Sequence, residues 1–149
     1  MYDTLKFLHI LLVAIAVGFN ASYGILLARA ARQPEHEPHV LRTVKFLDDR
    51  FANPAYALLL VTGVFMVLVG PWTFRTFWIA ASIGLWVVVA AVGLLAYTPA
   101  LRRQIALIEE KGPGDPEYRA AATRSTLIGI ALAVPVLVIV GLMVFKPTL

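Results

Sequence analysis

Four long apolar blocks without a single charged residue constrain this chain more than any other feature. They are Phe7–Ala28, Phe51–Val69, Phe77–Tyr97 and Ser125–Phe145. Each is close to the roughly 20 residues that cross a bilayer core as a helix. Because lipid offers the backbone no hydrogen-bond partner, such segments must be helical. The sequence therefore predicts an all-α, four-helix transmembrane bundle with up-down topology, forming a single transmembrane domain over residues 1–149.

Composition excludes several other classes of protein. Hydrophobic residues make up 60% of the chain and charged residues 15%, which is more apolar surface than a soluble domain of this length can bury. Cysteine is absent, so disulfides, thiolate zinc sites and iron–sulfur clusters are excluded. The net charge of +4 is typical of basic cytoplasmic loops. We therefore expect the lipid bilayer, and not nucleic acid, as a partner.

The distribution of lysine and arginine predicts an orientation. Three of the 13 basic residues are Lys6, Arg75 and Lys146, and the other ten lie in or beside the first and third loops. The positive-inside rule then places those two loops in the cytoplasm and both termini outside. Trp72 and Trp78 would lie at the outer interface, where amphipathic rings settle. The predicted location is a bacterial inner membrane, crossed several times.

Sequence signals outside the blocks predict where the helices begin and end. Apolar residues continue at helical spacing before the second block and after the third, so both helices should extend past the membrane. Asn53 and Pro54 are typical of a cap and first turn for the second span. Asp115 and Pro116 form the same kind of start for the fourth helix, which is predicted to continue to Phe145.

His9 is the strongest candidate for chemistry, because an ionisable group inside a span is a functional-site hypothesis by default. The up-down topology places Met66 and Met143 at the same membrane depth. Histidine and methionine are axial ligands of many haems, and soft thioethers select Cu(I). His9, Met66 and Met143 are therefore candidate cofactor ligands, with His9 as the metal ligand and haem b or copper as the cofactor. Two other interpretations stay open: His9 hydrogen-bonds a neighbouring helix while both methionines fill space, and no cofactor is bound.

A second polar group is predicted near the cytoplasmic ends of the spans. It comprises Asn20, Tyr23, Asn53 and Tyr97. Hydrogen bonds between helices account for such residues, and a substrate pocket open to the cytoplasm is the alternative interpretation.

Three short motifs resemble those of an uncharacterised bacterial membrane family, domain of unknown function 2269. They are the run Tyr2–Ile10, the run Arg50–Pro54 and the pair Thr62-Gly63, and the resemblance covers nearly the whole chain. That family is distantly similar to the copper-resistance protein D membrane domain and to the haem-containing bacterial protoporphyrinogen oxidase. The resemblance implies a functional first-helix histidine, which maps onto His9. The chain departs from those relatives in having no second membrane histidine and no membrane lysine.

Two functional hypotheses from different classes follow. The first is a small membrane protein that binds haem b or copper near the outer side through His9, in redox chemistry or cofactor handling. The second is a non-catalytic accessory or scaffolding subunit of a larger membrane complex or homo-oligomer, for which small-residue pairs such as Ala80/Gly84 and Ser125/Gly129 would allow close helix contact. No nucleotide-binding or hydrolase motif is present, so whether the chain is an enzyme stays open.

Overall fold

The computed structural model describes residues 1–147, and within them it contains four long helices and no strand. The helices are α1 (Tyr2–Ala30), α2 (Glu37–Val69), α3 (Phe77–Lys111) and α4 (Pro116–Phe145), each long and apolar enough to cross a membrane. The predicted all-α bundle is confirmed. Thr148 and Leu149, which the predicted domain includes, lie outside the described residues.

The helix ends follow local capping chemistry. Asp115 Oδ1 accepts hydrogen bonds from the backbone N–H of Glu117 at 2.8 Å and of Tyr118 at 3.3 Å, so α4 begins where the sequence predicts. α3 continues to Lys111 and ends at Gly112, whose φ of 83° is readily adopted only by glycine. The predicted extensions of α2 and α3 beyond their apolar blocks are confirmed.

Two π-helical turns interrupt the regular winding, one in α2 at Asp48–Ala52 and one in α3 at Gly93–Tyr97. An X-Pro pair follows each directly, Asn53-Pro54 and Thr98-Pro99. Proline has no N–H to continue the helical ladder, and a π turn is a local adjustment of that ladder. The prediction that Asn53 and Pro54 begin a helix is wrong, because α2 runs through them without a break. Asn53 instead donates its side-chain amide to Asp48 Oδ2 at 3.2 Å.

The helices pack as two pairs, α1 with α2 and α3 with α4. α2 and α3 are joined by the short turn at residues 70–76, and the Trp86 indole N–H donates to the Tyr56 carbonyl across them at 3.2 Å. Their main packing partners are nevertheless α1 and α4. The pairs meet where the start of α2 contacts the end of α3.

The buried line of α1 shows how it packs on α2. His9, Ala16, Tyr23 and Ala30 are its buried residues, and their seven-residue spacing is typical of helices that cross at a shallow angle. Two polar side chains of α1, His9 and Tyr23, therefore face the bundle. Asn20, which is also polar, is exposed.

The bundle has two distinct ends. The loop end carries the connections at residues 31–36 and 112–115. Its apolar core is formed by Leu41, Leu101, Leu107, Ile108 and Tyr118. The terminal end carries the start of α1, the end of α4 and the turn at residues 70–76. Elsewhere the helices expose large apolar side chains, such as Leu95 at 80%, which is the surface expected to face lipid.

Candidate functional site

A cavity of about 490 Å³ lies at the terminal end, lined by all four helices and by Trp72 of the turn. Its walls are mostly aliphatic and aromatic, and its volume falls within the range of small-molecule and cofactor sites. His9, Met66 and Met143 all line it. The structure therefore brings the three candidate ligands predicted from the sequence around one cavity.

His9 is fixed in the wall by two contacts with α2. Its side chain is 8% exposed, and its Nδ1 lies 2.7 Å from Thr62 Oγ1. Gly63 lies against the ring, since a Cβ at that position would lie at an ordinary contact distance of 3.4 Å from His9 Cε1. Two of the sequence motifs therefore contact each other in the structure: the run that contains His9 and the pair Thr62-Gly63.

The hydrogen bonds around Thr62 assign the tautomer of His9. Thr62 Oγ1 lies 2.8 Å from the Leu58 carbonyl and 3.2 Å from the Leu59 carbonyl. A hydroxyl has one proton, and a helical threonine commonly donates it to a carbonyl of the preceding turn. Thr62 then accepts from His9 Nδ1–H, so the neutral imidazole keeps its lone pair on Nε2. No hydrogen bond among the described residues involves that atom.

The candidate ligands come from both helix pairs. His9 and Met66 belong to the α1–α2 pair, whereas Met143 belongs to α4 in the other pair. Cofactor sites in helix bundles are built from side chains on different helices that face the bundle interior. The cavity is therefore lined by candidate ligands from three helices of the bundle.

Ser82 adds a buried polar group to the α3 wall. Its side chain is 3% exposed, and its hydroxyl has no hydrogen-bond partner in the part of the chain that the structure describes. An unpartnered buried hydroxyl is costly, and it is a feature of sites that await a ligand. Sequence reasoning missed Ser82, because a lone serine in an apolar span carries no periodic signal.

The polar cluster predicted near the cytoplasmic side is distributed over separate contacts. Asn20 Nδ2 donates to the Ala16 carbonyl at 2.9 Å and to Tyr56 Oη at 3.1 Å. Tyr23 is 4% exposed and its hydroxyl has no partner among residues 1–147. Asn53 bonds Asp48 as described, and the ring of Tyr97 packs over Gly129. These four side chains share the loop-end half but form no hydrogen bonds with one another.

A buried network at the loop end was not predicted from the sequence. Tyr118 Oη donates to Glu37 Oε1, and Ser125 Oγ donates to the side-chain oxygen Oε1 of Gln104. Gln104 Nε2 lies 3.5 Å from Tyr118 Oη. Gln104, Tyr118 and Ser125 are each less than 5% exposed. A usable signal was Gln104, a polar residue placed among the apolar residues of the helix that follows the third block. The network links α2, α3 and α4 through hydrogen bonds, which is typical of a group that stabilises the fold.

Comparison with known proteins identifies the family. A family model described as "Predicted integral membrane protein (DUF2269)" matches residues 3–147. No curated protein matches the chain, and no solved structure matches it. The chain belongs to this family of integral membrane proteins, which agrees with its four apolar helices.

Proposed function

We propose that this family member binds haem b in the cavity at its terminal end, where His9 would hold it. The observation that carries the proposal is the placement of His9: its Nδ1 lies 2.7 Å from Thr62 Oγ1, and the residue lines a cavity of about 490 Å³. Ligand histidines in proteins are oriented in this way, by a hydrogen bond from the other ring nitrogen.

The cavity fits a large, flat and mostly apolar group. Its walls come from two separately packed helix pairs, and the polar positions on them are few. Met143, which lines the cavity from the other helix pair, is the candidate second residue that would hold the group. Met66 lines the same cavity from α2. Haem, when bound, supplies one-electron redox chemistry.

Haem fits this site better than copper. A copper ion needs side chains that converge on one point at about 2.0–2.3 Å. His9, Met66 and Met143 instead surround a cavity with room for a whole organic group.

The biological setting is part of the proposal. The terminal end lies outside the cytoplasm, because ten of the 13 basic residues lie toward the loop end. The protein resides in a bacterial inner membrane and takes part in redox chemistry or cofactor handling. A reporter enzyme fused after Leu149 is expected to be active outside the cytoplasm, and activity only in the cytoplasm would reverse the orientation.

The visible spectrum of the purified protein tests haem binding. The full chain is expressed with haem precursors, purified in detergent and compared with His9→Ala and with His39→Ala. His39 is a matched control, because it is an exposed histidine outside the apolar blocks. The expected result is a stoichiometric Soret band in the wild type and in His39→Ala, and its loss in His9→Ala. Metal analysis of the same samples shows whether copper is bound instead.

The accessory-subunit hypothesis predicts a different outcome of that experiment. Gly84 has no atom within 4 Å of where its Cβ would lie, so the Ala80/Gly84 face is not used within the chain. Ser125 and Gly129, by contrast, are used within it, by Gln104 and Tyr97. A colourless, metal-free protein that co-purifies with other membrane proteins would overturn haem binding and favour this second function.

A further inference from the structure

Two lysines border the same cavity at its terminal edge. Lys6 and Lys146 both line it, one from the start of α1 and one from the residue after α4. The third basic residue predicted for that side, Arg75, does not line it. The cavity therefore has an apolar body and a cationic margin, which is the pattern of a site for a ligand with an apolar body and an anionic group.

The backbone and two tryptophans hold Lys146 at that margin. Lys146 has left-handed backbone angles, φ 47° and ψ 53°, and its N–H donates to the Leu142 carbonyl at 2.9 Å. Few residues other than glycine adopt this conformation. Its Nζ lies 5.1 Å from the ring centroid of Trp72 and 5.8 Å from that of Trp78. These contacts hold the ammonium group beside two other cavity-lining residues.

Neither ammonium group is neutralised by a carboxylate within residues 1–147. The ion pairs of the described residues are Glu35–His36, Arg42–Glu109, Lys45–Asp49 and Lys111–Glu117. All of them lie at the loop end. The ammonium groups of Lys6 and Lys146 at the cavity margin are therefore available to bind an anionic ligand.

We propose that Lys6 and Lys146 bind the anionic substituents of the cavity ligand, and that for a tetrapyrrole these are its two carboxylates. The identity of the apolar body rests on the proposed haem site, whereas the cationic margin does not. An anionic lipid headgroup has the same chemistry, so the experiment must separate the two sources. Hydrogen bonds in which both partners are charged are among the strong ones.

Metal-free protoporphyrin IX tests the lysines without any contribution from iron coordination. All three tryptophans of the chain line the cavity, so quenching of their fluorescence reports ligand entry. Affinities are measured in nanodiscs for protoporphyrin IX and for its dimethyl ester, which lacks the charges. The variants are Lys6→Gln, Lys146→Gln, the double variant and the control Arg75→Gln.

The wild type and Arg75→Gln are expected to bind the diacid about tenfold or more tightly than the ester, the size expected for a lost charge-assisted bond. The double variant is expected to lose that preference, with folding confirmed by gel filtration and circular dichroism. Equal affinity for both ligands in the wild type would overturn the proposal, as would a preference that survives in the double variant.

Two further arms identify the source of the anion and separate this proposal from haem ligation. His9→Ala is expected to keep the preference for the diacid, because the metal-free ligand forms no bond to a histidine. Failure of haem binding through His9 therefore leaves the lysine result interpretable. Nanodiscs of phosphatidylglycerol and of phosphatidylcholine are expected to give the same preference. Lysine-dependent quenching by brominated phosphatidylglycerol, with no preference for the diacid, would assign the margin to lipid and overturn the tetrapyrrole assignment.

Discussion

At the loop end, α2, α3 and α4 bury Leu41, Leu101 and Ile108 and join their polar side chains in a hydrogen-bonded network. At the terminal end, the two helix pairs border a cavity in which the hydroxyl of Ser82 has no partner. A tightly packed end can hold the pairs in a fixed relation while the other end stays open to a ligand. We infer that the loop end contributes most of the stability of the bundle and that the terminal end contributes its chemistry.

Removing a buried leucine should have the largest effect on stability. Leu101 is 1% exposed at the loop end, whereas Leu95, on the same helix, is 80% exposed. Leu101→Ala is expected to lower the free energy of unfolding by about 2–5 kcal/mol, through lost transfer energy and a cavity. Leu95→Ala should change it by less than about 0.5 kcal/mol. Unfolding in mixed micelles measures both, and equal effects would contradict the proposed division between the two ends.

Substitution by alanine should lower the stability of the protein at one buried serine but not at another. Ser125 bonds Gln104 at the loop end, and Ser82 bonds nothing in the described chain. Ser125→Ala is expected to cost about 1–3 kcal/mol, because it leaves a buried amide oxygen unsatisfied. Ser82→Ala should be neutral or stabilising in the ligand-free protein, since it removes an unpartnered buried hydroxyl. A loss of stability at Ser82 similar to that at Ser125 would mean that the terminal end is packed like the loop end.

Thr62→Val should have a small effect on the stability of the protein and a larger effect on its affinity for haem. The substitution keeps the shape of the side chain and removes the oxygen at 2.7 Å from His9 Nδ1. The expected loss of stability is about 1 kcal/mol, the net contribution of one hydrogen bond. Haem affinity should fall about 10–100-fold, because the ligand histidine loses the group that orients it. Thr126→Val, at an exposed position of α4, is the control and should change neither quantity. Unchanged haem affinity in Thr62→Val would contradict a ligand role for His9.

The smallest effect is expected at the surface of the loop end. Arg42 Nη1 lies 3.0 Å from Glu109 Oε1, and both side chains are largely exposed. Such pairs contribute about 0–1 kcal/mol and are screened by salt. Arg42→Gln should therefore lower stability by less than about 1 kcal/mol, and the difference should shrink at high salt. A larger, salt-independent loss would show that ion pairs, and not the buried network, hold the loop end together.

Much of the fold could be predicted from the sequence because lipid leaves so few solutions. An uncharged apolar block of about 20 residues must be a helix, and Asp115 with Pro116 marks the start of α4 directly. The pairing of α1 with α2 and of α3 with α4 could not be predicted. The sequences of apolar spans are too similar in character to show which span packs against which. The burial of Gln104 and Tyr118 depends on that pairing and was missed for the same reason. Asn53 was misread because a π turn allows a helix to pass through an X-Pro pair.

The candidate site was predictable only in part. His9, Met66 and Met143 could be placed at one depth from topology alone, and the structure adds that they line one cavity. Depth could not show that Met143 and His9 belong to different helix pairs, nor that Thr62 contacts the imidazole. Both facts depend on which helices pack together. The roles of these residues as ligands, and the orientation of the chain in the membrane, stay predictions.

Chemical rescue of His9→Gly tests the central claim most directly. The variant removes the imidazole from the wall and leaves space for a free imidazole beside Thr62 and the cavity. Haem is added to the wild type and to the variant, and the Soret band is recorded with and without imidazole in solution. We expect a histidine-ligated spectrum in the wild type, its loss in His9→Gly and its return when imidazole is added. Spectra that are the same with and without His9 would show that the terminal cavity does not hold haem through this residue.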